Sequence, residues 1–179
     1  MQLTVNDQVH LSEFQSSDKP ALIEHLNERQ IYEHTLQIPF PYTRDDATRW
    51  IALVGAETEH NEQPVQFAIR NENEQLIGSC GFNDLQLGAS HRGEIGYWLA
   101  RPYWGQGIMT AVVRRACEHA FASWKLLRIT AHVFDFNVAS VRVLEKVGFE
   151  QEGVLRKHLQ KDGRYLDAVV YGLLKGSVV

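Results

Sequence analysis

The spacing of apolar positions along the chain changes repeatedly, and each change marks an element. Residues 9–14, VHLSEF, alternate apolar and polar side chains and read as a strand. Asp18 followed closely by Pro20 reads as a capped helix start, because a proline in the first turn gives up no hydrogen bond. Two prolines in IPFPYT (38–43) break the chain, and Thr43 with Asp46 has capping-box spacing for a helix running towards Ala56. VQFAIR (65–70) and LIGSCGF (76–82) read as strands around an NENEQ turn, and GEIGYWLA (93–100) as another. Met109, Val112, Val113, Ala116, Cys117 and Ala120 then fall on one stripe at helical spacing. LRITAHVF (127–134) returns to a strand. A helix opened by Asn137 should stop at Gly148, in a left-handed conformation, with Phe149 covering its last turn. The tail pairs VLRKHLQ with YLDAVVYGLL about Asp162-Gly163, a strong hairpin signal.

This order predicts an α/β (α+β) fold, a mixed, mostly antiparallel central sheet of about seven strands flanked by helices. No linker or repeat divides the chain, so residues 1–179 are expected to form one domain. Composition adds mainly exclusions. A hydrophobic fraction of 44% with 22% charged residues is ordinary for a globular chain. A net charge of −4 argues against a nucleic-acid partner, which needs clustered positive charge. No secretory leader is visible at the start, and the apolar run at 168–174 is too short to span a bilayer, so no membrane partner is expected and the location should be cytoplasmic. Cys80 and Cys117 follow no zinc or redox spacing. The histidines (His10, His25, His34, His60, His91, His119, His132 and His158) are dispersed and form no metal motif, so no metal is expected.

The stretch RPYWGQGIMT (101–110) carries the most specific chemistry. A strand ending in a glycine-rich turn that becomes a helix gathers amides without partners at the positive end of the helix dipole. Gly105 and Gly107 carry no Cβ and would let a diphosphate approach that backbone. Neither G-x-G-x-x-G nor G-K-[ST] is present, which leaves a phosphate anion bound without a Walker lysine, or simply a tight turn.

EIGYWLA, followed by WGQGIMTAVV and then NVASVRVLEKVGF, resembles the GNAT superfamily of acyl-CoA-dependent N-acetyltransferases. Within it, the chain looks most like the branch containing the ribosomal-protein alanine and serine N-terminal acetyltransferases. The resemblance covers roughly residues 8–175 and is strongest from Glu94 to Phe149. It implies that the amides of Trp104, Gly105, Gln106, Gly107, Ile108, Met109 and Thr110 wrap the diphosphate of acetyl-CoA (coenzyme A) as co-substrate. It also implies that the main chain of Trp98 and Leu99, together with Asn137, holds the pantetheine arm. Trp104 and Met109 depart from the usual loop pattern, although the main-chain role survives such changes.

Acetyl transfer needs a deprotonated amine and a protonated leaving thiolate. Glu94 is the candidate base, on the strand where the resemblance implies a catalytic carboxylate and sharing a face with Gly96 and Trp98; the alternatives are a solvated strand glutamate or a pairing with Arg92 or Arg128. Ser140 is the candidate proton donor to sulfur, because the tyrosine that many relatives use as acid is replaced by Leu144. As plain structure, Asn137 would be an N-cap and Ser140 a first-turn residue. The resemblance implies that Tyr32, Phe40, Tyr42 and Trp50 lie in the segment that walls the acceptor cleft, with core or rim aromatics as the alternative; Arg114, Arg115, Arg142 and Lys146 could reach the 3′-phosphate or be simply solvated.

The expected activity is direct acetyl transfer to a primary amine, with a protein N-terminal α-amine as one candidate acceptor. Two alternatives stand beside it: a small-molecule amine acetyltransferase (for a polyamine, amino acid or drug), and a non-catalytic acyl-CoA-binding regulatory domain. Sequence leaves a monomer and a homodimer both open.

Overall fold

The computed structural model describes residues 1–83 and 85–179. Its strands are β1 (Gln2–Thr4), β2 (Val9–Ser12), β3 (Gln66–Asn71), β4 (Leu76–Asn83), β5 (Arg92–Leu99), β6 (Arg128–Phe134), β7 (Glu150–Lys161) and β8 (Arg164–Leu174). The helices are α1 (Lys19–Leu26), α2 (Arg29–His34), α3 (Arg44–Asn61), α4 (Ile108–Ala122) and α5 (Val138–Val147). One 8-stranded sheet runs in the order β1-β2-β3-β4-β5-β6-β8-β7. Neighbours are antiparallel except β5 and β6, which are parallel. The strand beyond the expected seven is β1, too short to show a period, which buries Leu3 beside Leu11.

Local chemistry explains most boundaries. Thr43 Oγ1 and the Asp46 carboxylate form the reciprocal capping box, and α3 runs past Ala56 to Asn61. Gly148 closes α5 at φ +103 and donates to Glu145 O. Asp162 (φ +50) and Gly163 (φ +73) turn the final hairpin, where Lys161 faces Arg164. Asp18 precedes α1 as expected but does not cap it. Its buried carboxylate instead takes both Arg70 Nη1 (2.8 Å) and Arg70 Nη2 (2.9 Å), tying β3 to the start of the helical layer. A buried pair of this kind tolerates neither partner's removal alone.

The sheet has an apolar layer on each face. On one face, α4 and α5 pack Val112, Val113, Ala116, Cys117 and Leu144 against Ile95, Leu99, Ile129 and Val133. On the other, α1–α3 pack Leu22, Leu26, Ile31, Tyr42 and Ala47 against Ala68, Leu76 and the half-buried Trp98. Side chains alternate across a strand, so the odd-numbered residues of β5 face α4 and α5 while Glu94, Gly96 and Trp98 face the α1–α3 layer. Full burial of the α4 stripe stabilises that helix by roughly 1.5–3 kcal/mol per large side chain, which fixes the direction of its N-terminus.

Candidate active site

The parallel pairing of β5 with β6 covers only Arg92, Gly93 and Glu94 opposite Arg128, Ile129 and Thr130. Beyond that point β5 stays paired to β4 as far as Leu99, while β6 stays paired to β8 as far as Phe134. The two strands therefore part in the middle of the sheet, and one edge of β5 is left open. Ala100 donates to Ile77 O at 2.8 Å, so ladder alternation turns the main-chain groups of Trp98 towards β4. Those of Ile95, Tyr97 and Leu99 lie on the open edge. Leu99 O there accepts the Trp104 indole N–H at 2.6 Å. Of the two residues named from the resemblance, Leu99 thus has its main chain on this edge and Trp98 does not; Tyr97 shares the edge.

The glycine loop follows the end of β5. Gly105 and Gly107 take φ values of +73 and +77, and Gly107 stands at the N-cap of α4. An added Cβ at either would meet nothing within 4 Å, so the loop faces clear space. Among the described residues, the amides of Gly105, Gln106, Gly107, Ile108, Met109 and Thr110 have no acceptor. The Trp104 amide differs, since it donates to Arg101 O at 3.2 Å and is thereby committed to the turn. The Gln106 side chain folds back onto Pro102 O. A cluster of unpartnered amides at a helix N-terminus, with no side chain in front, suits a diphosphate.

Glu94 lies near the start of the parted region with its side chain 41% exposed. Its partner is neither Arg92 nor Arg128, because Arg128 is held by Glu152. Instead, Glu94 Oε2 lies 2.9 Å from His132 Nδ1. His132 in turn stacks on His158, with ring centroids 6.0 Å apart. These two histidines, dispersed in sequence, therefore meet beside Glu94.

Asn137 caps α5, its Oδ1 accepting from the Ser140 amide at 3.2 Å, and its amide group donates to His34 O at 3.5 Å. Ser140 Oγ and the Tyr97 hydroxyl share a hydrogen bond of 2.8 Å. Burial pushes the Tyr97 phenol well up, an effect the Ser140 hydrogen bond partly offsets, so the phenol stays protonated. Leu144 is 0% exposed within the core, where a tyrosine hydroxyl could not be accommodated without repacking. Tyr97 was missed in sequence because it sits in an apolar alternation and reads as core. His132 was missed because the partner that gives it meaning is on a different strand.

On the α1–α3 side, Tyr32 packs on Phe40 with centroids 5.4 Å apart, and its hydroxyl donates to Asp162 at the hairpin tip. Lys161 Nζ lies 3.7 Å over the Tyr32 ring and donates to Thr35 O at 2.5 Å. His34 packs on Phe136, which stacks on Phe134. Tyr42 is core, its phenol pushed up to about 12 by burial, and Trp50 packs edge-on against Phe14. Arg114 is bound to the carbonyls of Val179 and Lys146, and Arg115 to that of Thr4; Arg142 and Lys146 are exposed. A cleft of about 600 Å³ between Gln63, Leu87 and Lys125 lies at the far end of α4 from the glycine loop. Among the described residues, no group of histidine, cysteine and carboxylate side chains is placed to hold a metal, and no helix is long and apolar enough to cross a membrane.

The sheet thus parts beside a cluster of amides without acceptors, with a carboxylate on one face and a hydroxyl pair on the other. The acetyltransferase (GNAT) domain family matches residues 8–150, and the chain belongs to it. It is 28% identical over 177 residues to an uncharacterized N-acetyltransferase, p20, of Bacillus licheniformis, covering 98% of this chain and 97% of that one. It is 26% identical over 142 residues to the ribosomal protein uS5-alanine N-acetyltransferase of Escherichia coli, covering 75% and 73% of the two chains. The fold superimposes on RimL, a ribosomal L7/L12 α-N-protein acetyltransferase solved with coenzyme A, with a TM-score of 0.87 at 20% identity, over 97% of this chain and 98% of that one. The protein is therefore a GNAT N-acetyltransferase.

Proposed function

We propose that the protein moves an acetyl group from acetyl-CoA directly to the N-terminal α-amine of a protein. The observation that carries the cofactor half of this reading is the set of amides from Gly105 to Thr110, which have no acceptor among the described residues, beside two glycines whose Cβ positions are clear. When bound, acetyl-CoA supplies the activated acetyl thioester. The amides at 105–110 would hold its diphosphate, and the Tyr97 and Leu99 main chain the arm, with Asn137 across the gap. Glu94 lies five strand steps before Leu99, a separation of about 17 Å at 3.4 Å per residue, room for an extended arm between diphosphate and reacting carbonyl.

Glu94, with Oε1 lacking a partner among the described residues, takes the amine proton as the nitrogen–carbon bond forms. Ser140 Oγ supplies a proton to sulfur as the carbon–sulfur bond breaks. With the Tyr97 hydroxyl donating to Ser140 Oγ, the serine proton is free to turn to the leaving group. Neither cysteine serves as an acyl carrier: both are buried, and burial raises the Cys80 thiol to about 12 and Cys117 well above its ordinary value.

The acceptor half is supported by the activity named for the uS5-alanine relative and by chemistry: an α-amine near pKa 7.7–8.0 needs less help from one carboxylate than a lysine near 10.4. The test is an acceptor screen read by mass spectrometry, with ribosomal-protein N-terminal peptides, the same peptides blocked at the α-amine, and polyamines, amino acids and aminoglycosides. Acetylation of free α-amines alone is expected; turnover confined to the small amines would overturn the acceptor assignment.

A further inference from the structure

The pair Glu94–His132 is completed by a feature on β7. Between Leu155 and Leu159 the register of β7 against β8 slips, so residues 156–158 all stand against Asp167. Lys157 sits at φ +51, a conformation uncommon for a side-chain-bearing residue, and its amide donates to the Asp167 carboxylate at 2.7 Å. Strand β8 lies between β6 and β7, so a regular β7 would keep His158 a strand away from His132. With the bulge in place the two rings lie 6.0 Å apart with 28° between planes. Bulges often serve to re-aim a side chain beside a site.

We propose that His132 is a positioning residue for acetyl transfer: its Nδ1, 2.9 Å from Glu94 Oε2, fixes that oxygen and leaves Oε1 to take the amine proton, and its ring is itself packed against His158 beside the Asp167-capped bulge. This rests on the reading of Glu94 as the base. The proton balance closes through solvent: the amine gives one proton to Glu94, the nitrogen–carbon bond replaces the carbon–sulfur bond, sulfur gains a proton from Ser140, and water carries the proton held by Glu94 back to Ser140. His132 forms and breaks no bond to substrate.

Around His132 stand Glu94 from β5; His158 from β7; the opposing Val170 from β8, which is uncharged; and on β6 itself, Thr130 and Phe134 on the same face.

The experiment measures kcat against pH at saturating acetyl-CoA and acceptor peptide, together with acetyl-CoA affinity. The variants are Glu94→Gln, His132→Ala, His132→Asn and His158→Leu. His132→Ala should lower kcat about tenfold or more while cofactor affinity stays within twofold. His132→Asn, whose amide can donate from nearly the same place, should recover most of that loss. The pH profile of kcat in His132→Ala should differ from that of wild type. His158→Leu should fall between wild type and His132→Ala. A wild-type rate and pH profile in His132→Ala, or equal losses in the Ala and Asn variants, would overturn the inference while loss of turnover in Glu94→Gln keeps the base. A wild-type rate in Glu94→Gln would instead remove the base on which it rests. Thermal melts of each variant separate either outcome from unfolding, and the 26% exposure of the His132 side chain makes the Asn exchange mild.

Discussion

Gly107→Val compared with Gly88→Val isolates the cradle from the backbone strain of any side chain at these positions. Both glycines have positive φ, +77 and +81, and a Cβ at either meets nothing within 4 Å. Both exchanges therefore carry the same intrinsic cost of a left-handed L-residue, about 1–2 kcal/mol. For a chain of this length that lowers Tm by about 2–8 °C in each case. Only Gly107 stands at the N-cap of α4, among the unpartnered amides. If the valine branch keeps a diphosphate from two of those amides, the loss is about 3 kcal/mol, at roughly 1.5 kcal/mol for each hydrogen bond to a charged group. That is about a hundredfold in Kd. Titration calorimetry with coenzyme A and acetyl-CoA reads the affinity, and differential scanning calorimetry reads the strain. Similar Tm values with a large affinity loss in Gly107→Val alone is the expected result. Unchanged affinity in Gly107→Val, or an equal loss in Gly88→Val, would refute the placement of the diphosphate at residues 105–110.

Tyr97→Phe and Ser140→Ala should each lower kcat, and the double variant should lose less than the product of the two, because one hydrogen bond links them; additive losses in a double-mutant cycle would separate their roles. His119, buried between Phe67 and Trp124, has its pKa lowered by burial and then by Arg115, and its Nε2 lacks a partner among the described residues. Since the folded-state value lies below the unfolded one, its contribution to stability is present above about pH 6.5 and is lost as pH falls through the lowered folded value. His119→Phe should accordingly raise Tm more at pH 5 than at pH 8; an equal change at both would contradict this. Arg70→Leu should destabilise by about 3–5 kcal/mol by leaving the Asp18 carboxylate buried alone, and the Arg70→Leu, Asp18→Leu double variant should recover a large part in urea titrations.

Local rules made much of this molecule legible. The capping box at Thr43, the left-handed Gly148 and the Asp162-Gly163 turn each depend on neighbours within a few residues, and each is found where the sequence puts it. What sequence could not give was set by pairing across strands. Asp18 looked like a cap because Arg70, its actual partner, lies on β3. The open edge of β5 follows from three matched residues on β6 and none after, a register that no period in either strand encodes. Strand β7 begins at Glu150, before the apolar run that marks it, because as an edge strand it is largely solvent-facing and needs no alternation. The amides of 105–110 were readable from two glycines and a helix. The Trp104 exception was not, since its N–H is taken by the short turn at Arg101–Tyr103.

The strand order also governs when each part of the molecule can exist as the ribosome makes it. Strands β1 to β5 lie side by side in the order of synthesis, and the cradle at 101–110 follows at once. The opposite bank waits: β6 has no outer neighbour until β8, the last strand, slots in between it and β7. Lys161 and Asp162, which lean on Thr35 and Tyr32, arrive on the same late hairpin. In a nascent chain the backbone of residues 101–110 is therefore complete before β6, β7 and β8 have been made.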